Sequence, residues 1–222
     1  MKYTTLIPFT LPFLGGTLTT ASPCQLAPSP IPSGSSSTTI TPAQILTIAP
    51  KSQSCANATD FVSECATATQ AAPALSAAFK KYGLTNKAEQ AAVLGIIAFE
   101  SGEFRYNKNH FPSPGVEGKG TRNMQSVDFN KKYAASIPEI ADRLEEVQDQ
   151  PGAVLDLLLE DPVRDFGSGA WFLTTQCEES VREGLRNDGE QGWEAFIVDC
   201  VGTDASDERK GYWTSAVEAL GA

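Results

Sequence analysis

One carboxylate in this chain sits where its acidity could be unusual. The run Ala91-Ala92-Val93-Leu94-Gly95-Ile96-Ile97-Ala98-Phe99 is apolar at nearly every position, so a helix built from it must be buried on all sides. Glu100 follows directly, then Ser101 and Gly102, and the glycine ends the helix. A carboxyl group at the C-terminal end of a buried helix meets two effects that raise its pKa: loss of water and the negative end of the helix dipole. An acid kept protonated near neutral pH can give a proton to the leaving oxygen of a glycosidic bond. A Glu in a last helical turn is more often a plain solvated side chain. The case for chemistry therefore rests on what surrounds it.

The elements that would position Glu100 can be read on both sides. Asn86 is a helix cap, and Glu89 stands three residues later in capping-box position. Beyond Phe104, the stretch His110 to Gln125 holds two prolines and three glycines and has no helical period. It reads as a loop with a small β-hairpin near Val116 to Met124. The rest of the chain from Ala66 reads as helices, among them Ala71 to Tyr82, Asp128 to Ala135, Ala153 to Leu159, Trp193 to Cys200 and Ser206 to Leu220. No internal repeat is present.

Composition sets limits on the rest. The chain has 222 residues and a formal net charge of −10, which argues against nucleic acid and anionic membranes as partners. A single histidine, His110, and the absence of a CxxC pair exclude the usual zinc sites, and no cofactor is expected. A Ser-His-Asp device would have to use His110, and no GxSxG motif exists to serve it. Residues 1–21 read as a secretory signal peptide, with Lys2, a short apolar run broken by Pro8 and Pro12, and a small-residue cleavage site at Ala21. Residues 22–54 are rich in Pro, Ser and Thr and read as a largely disordered linker, of which Ile45 to Ile48 could dock on the domain. Residues 55–222 form the expected domain.

The cysteines suit an oxidising, extracellular compartment. Cys55 and Cys65 are close in sequence and fit a pair. Cys177 and Cys200 end successive helical segments and could staple them, although four cysteines allow three connectivities. Cys24 is the odd one. Asn57-Ala58-Thr59 is a glycosylation sequon, which places Asn57 at the surface.

The stretch Phe99-Glu100-Ser101-Gly102-Glu103-Phe104, followed by Gly118-Lys119-Gly120-Thr121-Arg122-Asn123-Met124-Gln125, resembles the signature of the lysozyme-like superfamily. Soluble lytic transglycosylases and goose-type lysozymes carry a similar Glu-Ser-x-x-Phe, a Gly-rich turn and Met-Gln. Family 19 chitinases carry a helix ending in Glu-[Ser/Thr]-Gly-Gly-Phe and then Gly-Arg-Gly-x-x-Gln. Gly169-Ala170-Trp171-Phe172 and Glu208-Arg209-Lys210-Gly211-Tyr212-Trp213 are similar to later helices of the chitinases. Glu103 departs from the second glycine of that pattern and adds an acid near the site.

The resemblance implies a mainly α, lysozyme-like α+β domain with a small β-hairpin beside a cleft. It implies a secreted glycoside hydrolase acting on β-1,4 bonds of an aminosugar polymer. Peptidoglycan is the first expectation, with a muramidase activity. Chitin or chitosan is the rival, and a non-catalytic binder on the same fold is the alternative. Glu100 would be the general acid. Glu117 would be the second carboxylate, with Asp128 as the other candidate and a helix cap as its ordinary role. Thr121 and Gln125 would hydrogen-bond the sugars, and Phe104, Tyr106 and Tyr133 would stack on them. Trp171 and Phe172 belong to the core, and Arg209 to a salt bridge behind the cleft. The expected partner is a polysaccharide, and the expected state is a monomer.

Overall fold

The structure is a computed structural model that describes residues Thr39 to Ala222. The expected signal peptide, the first part of the linker and Cys24 lie outside the described residues. Within them, small polar residues write the helix starts. Thr41 and Thr67 each form a full capping box, with Gln44 and Gln70, and open α1 (Pro42–Ile48) and α2 (Ala68–Lys81). Asn86 accepts from the amides of Ala88 and Glu89 and opens α3 (Lys87–Glu100). The carboxylate of Glu89 does not return to the cap; it is buried against Arg182 and Arg186. Ser126 caps α4 (Val127–Ala135), so Asp128 lies inside the first turn. Then come α5 (Ala141–Val147), α6 (Pro151–Leu159), α7 (Pro162–Gln176) capped by Asp161, α8 (Glu179–Asn187), α9 (Glu190–Ala195) and α10 (Asp207–Leu220) capped by Ser206. A widened turn, Phe196–Val201, follows α9 without a break.

The centre of the molecule is α3, which is buried from Glu89 to Ala98. Helix α10 runs antiparallel along it. Gly95 permits the approach, because a Cβ there would stand 2.9 Å from the Trp213 backbone. This contact sets the register: Trp213 lies over Gly95, and Arg209, one turn earlier in α10, reaches Glu100, the last residue of α3. Helix α7 closes another side through Gly169, whose hydrogen faces Val93 and Ile97 of α3. A second apolar cluster, with Tyr133, Ile137, Val154, Leu158 and Trp171, ties α4 and α6 to α7.

Two expectations are corrected here. The linker does not extend to residue 54. Ile45 and Ile48 of α1 are fully buried in the main core, and α1 packs on α2 and α10. Burying two such side chains contributes about 1.5 to 3 kcal/mol each, enough to hold a seven-residue helix that could not persist alone. The β-hairpin is also absent. Lys108 and Gly120, and Gly120 and Gln125, form isolated antiparallel bridges, and no strand exists among the described residues. The cause is local: Gly118, Thr121 and Met124 all have positive φ, at 78°, 60° and 49°, which no strand can propagate. The described fold is all-helical, and the lysozyme-like α+β architecture is not what this chain adopts.

Candidate functional site

The chain reverses sharply after Glu100. Gly102, Glu103 and Phe104 take positive φ in succession, at 59°, 62° and 69°. The two non-glycine residues carry strain on the order of 1 to 3 kcal/mol each, and both are held by strong contacts. Ser101, fully buried, accepts from the Phe104 amide (2.9 Å) and donates back to the Ile97 carbonyl (2.7 Å). Glu103 is 5% exposed and accepts from the Lys51 amide (2.7 Å) and the Tyr212 hydroxyl (3.0 Å), with the Lys51 ammonium at 3.1 Å. Glu103 thus fastens the reversal to α10 and to the turn after α1; it is not a third acid beside Glu100. The Tyr212 phenol is pushed up to about 12, first by burial and then by the carboxylate that accepts its proton.

Past the reversal, Arg122 organises the loops. Its guanidinium is buried and donates to the carbonyls of Glu64, Phe104 and Tyr106 and to the Asp165 carboxylate (3.0 Å), and it lies on the Phe166 ring. Burial pushes the Asp165 carboxyl up, and Arg122 and Asn107 oppose that rise. Glu64 accepts from the amides of Asn107 and Lys108 and from His110 Nε2 (2.8 Å). The sequence reading passed over Arg122, Asp165 and Glu64. A buried Arg in a Gly-rich loop was the one available signal.

Glu100 lies at the floor of a cleft of about 350 Å³, lined by Ile96, Lys119, Gln125, Phe129, Phe172 and Arg209, among others. Its side chain is 23% exposed and lies 3.1 Å from the Arg209 guanidinium. The expected apolar enclosure is not built. Arg209 lines the cleft and does not stand behind it, held by Asp204 (2.8 Å) and by the face of Phe99. Three buried atoms on lining residues have no partner within the protein: Asn123 Oδ1, Gln125 Oε1 and Arg209 Nε. Gln125 Nε2 is fixed by Asn130 Oδ1 (3.1 Å), which assigns the amide's orientation.

The other predicted site residues divide sharply. Gln125 is in the cleft. Tyr106 lines an adjoining cavity that shares Glu100, Lys119 and Met124 with it. Glu117 is exposed and lines a third cavity that Glu100 does not reach; its carboxylate lies over Gly152 at the start of α6, where the helix dipole favours it. Asp128 is exposed on α4 and lines none of these cavities. Neither carboxylate pairs with Glu100 across a cleft. Thr121 is buried and donates to Ser168 (2.7 Å). Phe104 packs edge-to-face on Phe166, and Tyr133 is wholly buried with its hydroxyl on the Arg164 carbonyl, so neither can stack on a sugar.

Disulfides join Cys55 to Cys65 and Cys177 to Cys200. Asn57 is exposed, beside the first of them. Among the described residues no helix is long and apolar enough to cross a membrane, and no group of three or more His, Cys, Asp or Glu could hold a metal ion.

Over 159 residues, 69% of its length, the chain is 44% identical to a bifunctional dioxygenase (DOX)-epoxy alcohol synthase (EAS) of Fusarium oxysporum (strain Fo5176). The match spans only 12% of that relative. No protein-family model and no solved structure matches the chain. The expected glycoside hydrolase, whether muramidase or chitinase, is therefore corrected. The relative is named for oxidative chemistry, and the structure gives Glu100 an arginine partner and no second carboxylate.

Proposed function

We propose that this chain is a secreted recognition module whose cleft beside Glu100 binds an amide-bearing, polyhydroxylated polymer of the aminosugar type. The observation that carries this is the set of unpartnered buried atoms on its lining: two amide oxygens, Asn123 Oδ1 and Gln125 Oε1, and one guanidinium N–H, Arg209 Nε. Each such atom costs about 1 to 3 kcal/mol when left unmade. A ligand with hydroxyl and amide donors and carbonyl acceptors meets all three. Phe129, Phe172, Ile96 and Met124 supply the apolar surface between them. The motif-level likeness of residues 99–104 and 118–125 to sugar-polymer enzymes supports the same ligand class. The disulfides and the exposed sequon support an extracellular site of action.

The segment shared with the Fusarium protein is, on this reading, an accessory part of that longer chain and not its oxidising part. Oxygen chemistry calls for a redox metal or organic cofactor. The residues here do not fit a metal centre: the four described cysteines are in disulfides, and His110 is bound to Glu64 and stacked on Phe61.

Titration calorimetry of the whole protein with β-1,4-linked N-acetylglucosamine oligomers and with soluble peptidoglycan glycan tests the reading. Saturable binding to either, weakened about tenfold or more in Gln125→Leu, is expected. The absence of heat with both, for protein whose circular dichroism shows it folded, refutes the site.

A further inference from the structure

The three cavities on this face share one side chain. Lys119 lines the Glu100 cleft, the Tyr106 cavity and the Glu117 cavity. Its backbone is fixed on both sides: its amide donates to the Val116 carbonyl (3.1 Å), and its carbonyl accepts from Asn109 (3.0 Å). The residue is half-buried, yet its ammonium makes no hydrogen bond and no ion pair with any described residue.

Every neighbouring charge but one is already met. Glu100 of α3 is paired with Arg209, Asp156 of α6 with Lys108 (2.6 Å), and Glu64 with His110. Glu117 stands on the exposed rim, against Gly152, within 4.0 Å of no cation. On a chain of net charge −10, one unneutralised cation where three cavities meet is a local reversal of sign. Lysine is a compact point charge, and a single one matches a single anionic oxygen pair.

We infer that the ligand of this cleft carries a carboxylate, read by Lys119, so that the polymer is an acidic aminosugar glycan and not a neutral one. This inference rests on the binding site proposed above and decides between the polymers that reading leaves open. Tyr106 and Phe111, which line the cavity with Lys119 and pack edge-to-face at 5.9 Å, offer an apolar face for the ring that bears the acid.

The test compares two tetrasaccharides of one length by titration calorimetry. One is all N-acetylglucosamine; the other has a lactyl carboxylate on alternate sugars. The acidic one is expected to bind about tenfold more tightly at low salt. That margin should narrow as salt shortens the Debye length towards roughly 8 Å at 0.15 M. Lys119→Gln should remove the margin while leaving the neutral tetramer within about twofold, and Lys119→Arg should keep it. Equal affinity for the two glycans, or an equal loss for both in Lys119→Gln, overturns the inference and leaves the binding site standing. No binding of either glycan to folded protein removes the site and the inference together.

Discussion

Arg122 shows how one side chain can hold several loops. It is 3% exposed and satisfies three carbonyls that would otherwise be left without donors, and it is the cation beside buried Asp165. Removing one partner of such a pair costs more than the pair is worth, because the other charge stays buried. Arg122→Met should lower the free energy of unfolding by about 3 to 5 kcal/mol in urea titrations. Adding Asp165→Asn to it should recover part of the loss. Full additivity of the two changes would show that the pair is not coupled. Tyr212 makes a second prediction at this scale. Its folded pKa of about 12 lies above the ordinary tyrosine value, so its contribution is fully present below about pH 10 and is lost as pH rises through about 12. The difference in unfolding midpoint between the parent and Tyr212→Phe should therefore shrink across that window. A constant difference from pH 8 to 12 contradicts the hydrogen bond to Glu103.

Among the elements, α3 and α10 are a matched pair, and glycine decides their spacing. Gly95→Ala places a Cβ 2.9 Å from Trp213 backbone atoms, which cannot swing aside as a side chain would. The gain of about 1 kcal/mol in helix propensity should be outweighed by an overpacking cost of about 1 to 3 kcal/mol, and the shift should carry Arg209 off Glu100. Gly211→Ala, in the same helix with nothing within 4 Å, is the opposite case. It should stabilise the protein by up to about 1 kcal/mol. Thermal unfolding of the two variants checks both signs. The helix caps and the buried run of α3 were legible in the sequence because they depend on neighbours a few residues away. The loop from Gly118 to Gln125 was not. Its glycines and polar residues fit a hairpin equally well, and only the backbone signs at Thr121 and Met124, set by Ser168 and Arg122 contacts, decide against one. For the same reason Thr121, Phe104 and Tyr133 read as ligand residues. Their types suit a sugar, but their direction is fixed by α7, some forty residues or more away in sequence for Thr121.

At the scale of the whole molecule, two covalent staples hold different parts of the site. Cys55–Cys65 closes the loop that carries Phe61 and Glu64, and so supports the His110 side of the adjoining cavity. Cys177–Cys200 ties the end of α7 to the widened turn after α9, and the next residues, Val201, Gly202 and Thr203, line the Glu100 cleft. The loops they close differ in separation, 10 against 23 residues, yet chain entropy depends only on the logarithm of that length. Each staple should therefore contribute about 3 kcal/mol of stability. The effects on ligand should differ. Replacing Cys177 and Cys200 with Ser frees Val201 to Thr203 and should weaken all glycans alike, because that wall carries no unpaired charge. Replacing Cys55 and Cys65 with Ser loosens Glu64, whose carboxylate holds the Asn107 and Lys108 amides next to the Lys119 strand of the loop. That change should erode the preference for the acidic glycan first. Calorimetry on the two variants, each matched for folded fraction, separates these outcomes. Identical losses for both glycans in both variants would mean that the staples support the fold as a whole and do not divide the site between them.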